Sequence, residues 1–537
     1  MKKLMTYIAA GLMALCMNSC LDLDPTSEYT DENFWKTEDQ FDAFHTGLKG
    51  QFRNYAYDFV VWGEFRSDIY AGQSFSGESN TYQRIFNNNL DASNSGVSDF
   101  GGVYTCINQL NLMIDKANES TVISEAAKNK YLGAAYGMRA FMYFQLLRSY
   151  GDVVIYTQHT EGATLDLNNL SKEQSPAADV LALIKDDIQK SEEAYNDNYS
   201  FTDTDRDTEG RTSWSLAATK MLKGEVYLWS GKQMGGGEAD YRTAKQAYLD
   251  VDHADVDLLD DYASVFSFNN KENKEIIFAI YNGEKEKTLW NGSYSSNLVL
   301  KAAKMGAYLF SDPSNPDFFV SISSTDYAKH DGNNFLPINK DMFYDDGENG
   351  VWRVWRNGDQ RARATLRDVW NSNGSYAGLL ANKYHGTVLT GGNKTSWYDD
   401  QPIYRYADCL LGLAEAEVLL GEDPSEEINW IRERAYGKAY FDAHPEVQYP
   451  NDTDTEYYDG NKFVGSDADP EEAVLKERMR ELMFEGKRWY DIRLMDKATK
   501  YSSATKDRLL WPIDENALGE NSKLKQTPGY TKNTAKK

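Results

Sequence analysis

The sequence is poor in the residues that usually announce chemistry. Its 537 positions hold four cysteines, of which only Cys106 and Cys409 lie beyond the first twenty residues. That number excludes a disulfide framework and a thiolate zinc site. Both cysteines sit in apolar helical patterns and read as buried free thiols. The six histidines, at 45, 159, 253, 330, 385 and 444, show no metal-ligand spacing, and no cofactor is expected. No Gly-x-Ser-x-Gly elbow, His-Glu-x-x-His helix or Walker loop occurs. Past residue 17 no apolar run approaches the ~20 residues that a membrane-spanning helix needs. Positive charge is also short: 57 Lys and Arg face 83 Asp and Glu, a net charge of −26. Such a surface repels nucleic acid and anionic lipid headgroups, so neither is expected as a partner.

What is abundant is aromatic: 36 Tyr, 12 Trp and 23 Phe. Tyr and Trp combine a flat apolar face with a polar tip, and the C–H faces of sugar rings stack on such surfaces. Most of these rings must fill gaps between helices, so the count alone moves the reading only modestly toward carbohydrate. The amino terminus carries another signal. Lys2 and Lys3 precede an apolar stretch over 4–17, too short to span a bilayer and suited to a signal-peptide core. Ser19-Cys20 then resembles a bacterial lipobox, which implies a signal peptide over 1–19 and lipidation of Cys20. Met17 and Asn18 depart from the usual lipobox pattern. The alternatives are an ordinary secretory signal cleaved nearby, or a buried apolar start.

Periodicity predicts a mostly α fold. Residues 103–150 read as two helices, with Ser124 as N-cap and Gly151 as stop, the latter helix carrying Leu132, Tyr136, Ala140, Tyr143, Phe144 and Leu147. Further helices are expected over 175–196, 213–231, 238–251, 403–420 and 425–436, and one long helix over 471–497. Paired helices of ~34 residues per unit point to tetratricopeptide-like stacking, with small residues such as Ala135, Ala140, Ala217, Ala218, Ala414 and Ala416 allowing close approach. Segments 51–100 and 260–400 are rich in Gly, Asn, Ser and Asp and read as long ordered loops with small β insertions such as 275–281. Loops of that length are usually functional.

The motifs together resemble the SusD/RagB family of nutrient-binding outer-membrane lipoproteins. The resemblance rests on Cys20-Leu21-Asp22-Leu23-Asp24-Pro25-Thr26 with Asn33-Phe34-Trp35, and on Arg139-Ala140-Phe141-Met142-Tyr143-Phe144 running to Gly151-Asp152-Val153. It continues through Trp214-Ser215-Leu216-Ala217-Ala218, Pro402-Ile403-Tyr404-Arg405-Tyr406-Ala407-Asp408, the block from Glu477 to Arg493, Leu510-Trp511-Pro512-Ile513 and Gln526-Thr527-Pro528-Gly529-Tyr530. The resemblance implies one SusD-like domain over 20–537, with halves at 20–260 and 261–537. It also implies a non-catalytic glycan-binding protein that delivers oligosaccharides to a TonB-dependent transporter of the SusC type. The acidic Asp22 and Asp24 beside the lipidated cysteine resemble a signal for display on the outer face of the outer membrane.

Two other classes stay open on the residues: a secreted glycoside hydrolase, and a helical scaffold whose ligand is protein. Hydrolysis needs two carboxylates at a set separation, and 83 acidic residues supply chance pairs everywhere. Glu481 and Glu485, one helical turn apart, read better as charges paired with neighbouring arginines on the same helix. For glycan binding, the resemblance implies the loop after the first helix and the middle insert. The first loop offers Arg66, Asp68, Tyr70, Tyr82 and Asn87, where Arg66 and Asp68 either bind hydroxyls or brace the loop. The middle insert offers Trp290 and Tyr294 around Asn291-Gly292, and a third loop carries Trp352, Trp355 and Trp370. Helical rings such as Trp229 and Trp489 are expected in the core.

Overall fold

In the computed structural model the described residues are 34–530, apart from 79–81, 97–99, 161–170, 202–209, 285–293, 313–314, 346–350 and 460. The signal peptide, Cys20 and Trp290 therefore lie outside them. The chain is helical with small sheets, as the periodicity predicts. The longer helices are α1 (Glu38–Arg53), α2 (Ala56–Glu64), α3 (Val103–Glu119), α4 (Glu125–Tyr150), α5 (Ala177–Tyr195), α6 (Leu216–Gln233), α7 (Gly237–Asp250), α8 (Tyr406–Leu420), α9 (Ser425–Tyr436), α10 (Pro470–Leu482) and α11 (Arg488–Leu494). They stack in sequence, α3 on α4, α4 on α5, α5 on α6, α6 on α7, α7 on α8 and α8 on α10.

Small residues set the spacing of that stack. The ring of Tyr248 on α7 lies where Cβ atoms on Gly224 of α6 and Gly412 of α8 would be, 2.3 and 2.4 Å from its ring carbon. Ala135, Ala140, Ala217, Ala218, Ala414 and Ala416 are all fully buried. The Ser124 hydroxyl accepts from the Ala127 amide and caps α4, and Gly151 ends it at φ 78°. Cys106 and Cys409 are buried free thiols.

Two expectations are corrected. Segment 51–100 does not open as loop: α2 occupies 56–64, and its Val60, Val61 and Trp62 are buried. Its glycine and acidic end disguise a core helix. The predicted helix 471–497 is two helices, broken between Leu482 and Arg488, where Phe484 and Gly486 take φ values of 70° and 73°. The break lets the backbone of Gly486 approach α2, where a Cβ on Gly63 would stand 1.8 Å from the Gly486 oxygen.

The strands are β1 (Ile276–Ile280), β2 (Tyr308–Asp312), β3 (Asn315–Ser321), β4 (Tyr344–Asp345), β5 (Val351–Trp352), β6 (Leu366–Asn371), β7 (Tyr376–Ala381) and β8 (Gln401–Arg405). β1 pairs antiparallel with β8, β4 with β5, and β3-β2-β6-β7 form one antiparallel sheet. One continuous buried cluster runs from Phe41 to Tyr530 through helices and sheets.

Candidate functional site

The charge-rich block from Glu477 to Arg493 is interior. Glu481 meets Arg361, Arg405 and Arg434 at 3.0, 2.7 and 2.5 Å, and all four side chains are at most 4% exposed. Glu477 meets Arg361 and Arg432 at 2.7 and 2.8 Å. Glu485 meets Arg405 and Lys383. The partners of Glu481 and Glu485 come from other elements, so the same-helix pairing expected for them is corrected. Glu477 keeps one same-helix partner, Arg480 at 3.5 Å, beside its two from elsewhere, and these carboxylates tie α10 to its surroundings. Burial alone would raise the Glu481 carboxyl, but the charges of Arg434, Arg405 and Arg361 outweigh it and hold the carboxyl below the usual range.

The first-loop residues are largely interior too. Arg66 is fully buried and donates to the carbonyls of Leu509 and Leu510 at 3.0 and 2.7 Å and to Asn88 Oδ1 at 2.7 Å. Burial lowers its guanidinium to about 10. Asp68 is 6% exposed and receives both forks of Arg488, at 3.0 and 2.9 Å. Tyr70 and Tyr294 are 2% and 0% exposed, and their hydroxyls lie 2.9 Å apart. Both donate to the buried Glu64 carboxylate, at 2.6 and 3.0 Å. Burial raises Glu64 to about 7, against the pull of hydrogen bonds from Tyr70, the Gly486 amide and Tyr294. As direct glycan contacts, Arg66, Asp68, Tyr70 and Tyr294 are therefore corrected: they brace the loop, and Arg66, Asp68 and Tyr294 do so through partners far away in sequence.

The bracing nevertheless brings the first loop against the middle insert. Tyr70 bridges Ile338, and the Asn339 amide donates to the Ile69 carbonyl at 2.8 Å. Lys301 and Lys304 grip Glu78 at 3.0 and 2.6 Å. The Phe75 ring packs edge-on to Tyr308, centroids 5.2 Å apart. Tyr82 is half-buried, its hydroxyl accepting from Tyr57 at 2.8 Å. Asn87 is exposed close by. Trp352 lies in β5 opposite Tyr344, with its side chain outside the described residues. Trp355 is fully buried.

On the four-stranded sheet, three half-buried rings form a row that crosses strands: Phe319 of β3, Trp370 of β6 and Tyr376 of β7. Their centroids are 5.2 and 5.4 Å apart. Alternation along the strands places the row on one face, since Trp370 pairs with both Leu309 and Tyr376. The indole Nε1 of Trp370 donates to Asp368 Oδ2 at 2.6 Å, and Arg363 holds the other oxygen of Asp368 at 3.0 Å. The indole is thus fixed in plane beside Arg363, whose side chain is 29% exposed. Lys340, which leads toward the β4–β5 hairpin, stands 5.7 Å from the Tyr376 ring centre.

Such a row offers flat apolar faces with planar donors at its edge, the chemistry that holds a sugar ring. Trp370 belongs to the third predicted loop; Phe319, Tyr376, Arg363 and Asp368 are not among the residues that the sequence singles out. Their signal is present in it: Leu-Arg-Asp-Val-Trp-Asn alternates, then Asn373-Gly374 turns the chain toward Tyr376.

Residues 274–506 match the family model described as the SusD family. Residues 20–209 match one described as starch-binding, associating with the outer membrane. Among solved structures the chain is similar to NanU of B. fragilis, at 47% identity over 95% of this chain and 100% of that one, with a TM-score of 0.86. A SusD-like protein P38 from Formosa agariphila is 27% identical over 560 residues, 97% of each chain. Surface glycan-binding protein A from Bacteroides fluxus shares the fold, at 20% identity over 92% of this chain and 100% of that one, TM-score 0.65.

Proposed function

The chain belongs to the SusD family, and from that membership we propose that it is a non-catalytic, lipid-anchored protein on the exterior of the outer membrane. It captures oligosaccharides and delivers them to a SusC-type TonB-dependent transporter. The observation that carries the binding reading is the Phe319–Trp370–Tyr376 row, held rigid on a sheet and edged by Arg363. The row supplies the stacking faces, and Tyr82, Asn87, Trp290 and Trp352 are the further glycan contacts of this reading.

Binding without hydrolysis is supported by the state of the motif carboxylates. Glu477, Glu481 and Glu485 are buried and ion-paired, so none is free to act on a glycosidic bond. The anchor is Cys20, whose acyl chains together exceed the marginal hold of one chain. The test is a glycan-array screen of the mature chain from Cys20 onward, followed by calorimetry on each hit. The proposal expects at least one oligosaccharide hit whose chain length is unchanged after incubation. No hit across neutral and charged glycans, or steady release of shortened products, contradicts it. Cys20→Ala is expected to move the protein from the membrane fraction to the soluble one.

A further inference from the structure

Most buried arginines of this fold are neutralised by carboxylates. Arg139, Arg361, Arg405, Arg432, Arg478, Arg480 and Arg488 each meet buried carboxylates. Arg367 differs. It lies on β6 three residues before Trp370, on the opposite face of the sheet, with its guanidinium stacked 4.3 Å over the Phe310 ring. Its Nε is buried and has no hydrogen-bond partner among the described residues. The neighbouring Asp368 is already taken by Arg363 and Trp370.

The guanidinium lines a cavity of about 310 Å³ together with His330, His385, Lys329, Thr387 and Thr395. The frame of that cavity is hydrogen-bonded. Thr387 and Ser396 exchange amide–carbonyl bonds of 2.8 Å, the Thr395 amide donates to the Lys329 carbonyl at 2.9 Å, and the Tyr327 hydroxyl donates to the Ala381 carbonyl at 3.0 Å. His330 is stacked on Tyr327, centroids 4.4 Å apart, and is 7% exposed, whereas His385 is exposed at the mouth. Asp326, the one acidic lining residue among the described residues, is paired with Lys329 at 2.9 Å and its side chain is 96% exposed, turned to solvent rather than to Arg367.

We propose that this cavity is a binding site for a carboxylate group. A planar guanidinium presents parallel N–H donors that match the two oxygens of a carboxylate, and an aromatic ring beneath it fixes the plane of approach. The hydroxyls of Thr387 and Thr395 stand on the paired segments that close the cavity wall. In a chain of net charge −26, a guanidinium that lines a cavity with no carboxylate hydrogen-bonded to it among the described residues is a local well for an anion. The site is separate from the aromatic row, so either can fail alone.

The test is isothermal calorimetry on the full mature chain, with sodium acetate against sodium phosphate and sodium chloride at matched ionic strength and pH 7. Acetate is expected to bind saturably, and Arg367→Gln to weaken it at least tenfold. His385→Glu, at an exposed position, places a competing carboxylate beside Arg367 and is expected to abolish acetate binding in a protein that melts normally. Trp370→Ala is expected to leave acetate binding unchanged. Saturable binding of phosphate without acetate, equal weak heats for all three salts, or acetate binding that survives both variants would overturn the assignment.

Discussion

The block from Glu477 to Arg493 and the sheet row of Phe319, Trp370 and Tyr376 are opposite answers to the same question. In sequence the block has the composition of a reactive centre, with carboxylates and arginines packed into seventeen positions. The row has the composition of scattered loop aromatics. In the structure every carboxylate of the block is buried and matched to cations, Glu477, Glu481 and Glu485 to ones from other elements and Asp491 to Arg478 of the block. The rings of the row are half-exposed and stand in line. Buried ions are costly unless paired, so a dense charged motif on a core helix is a fastening. An aromatic held on a strand and still partly exposed is available to a ligand.

The largest effect is expected from breaking the fastening. Glu481→Ala leaves Arg361, Arg405 and Arg434 without a shared partner, and the loss is expected at about 3–5 kcal/mol, read as a large fall in melting temperature. Trp489→Ala, at a fully buried ring beneath Arg66, is expected to cost about 3–5 kcal/mol as well. Either mutant, where it folds, is expected to bind glycan normally.

The contrast sharpens further through pH. Asp452, Glu477 and Glu481 are held below the usual carboxylate range: burial raises them, but neighbouring Arg and Lys charges prevail. Folded values below unfolded ones give stability that is present above the unfolded value and lost as pH falls through the folded ones. Glu64 runs the other way. Its folded value of about 7 exceeds the ordinary 4.5, so its contribution is full below 4.5 and lost as pH rises through 7. Glu64→Gln, which keeps an acceptor for Tyr70 and Tyr294, is expected to flatten the decline in stability between pH 5 and pH 8. Thermal melts at several pH values check both signs.

The helical frame is legible in the sequence because a buried helix face repeats every three to four residues, as in α3 and α5. The break after Leu482 is not, since Phe484 and Gly486 adopt positive φ only because α2 packs against that backbone. Arg66 and Asp68 show the same limit. Their partners, the carbonyls of Leu509 and Leu510 and the side chain of Arg488, lie more than 400 positions away. The family resemblance implies that the loops supply one surface. Which side chains remain exposed where they meet depends on strand register, and a local pattern does not carry it across Phe319 to Trp370.

The smallest effect tests the central claim most directly. With an oligosaccharide found by the array, calorimetry and thermal melts on Trp370→Ala against the native chain separate recognition from support. The account predicts about a tenfold weaker affinity, ~1.4 kcal/mol, with a melting temperature close to that of the native chain. Unchanged affinity in a normally folded Trp370→Ala protein would contradict it and move the binding surface to Tyr82, Trp290 or Trp352.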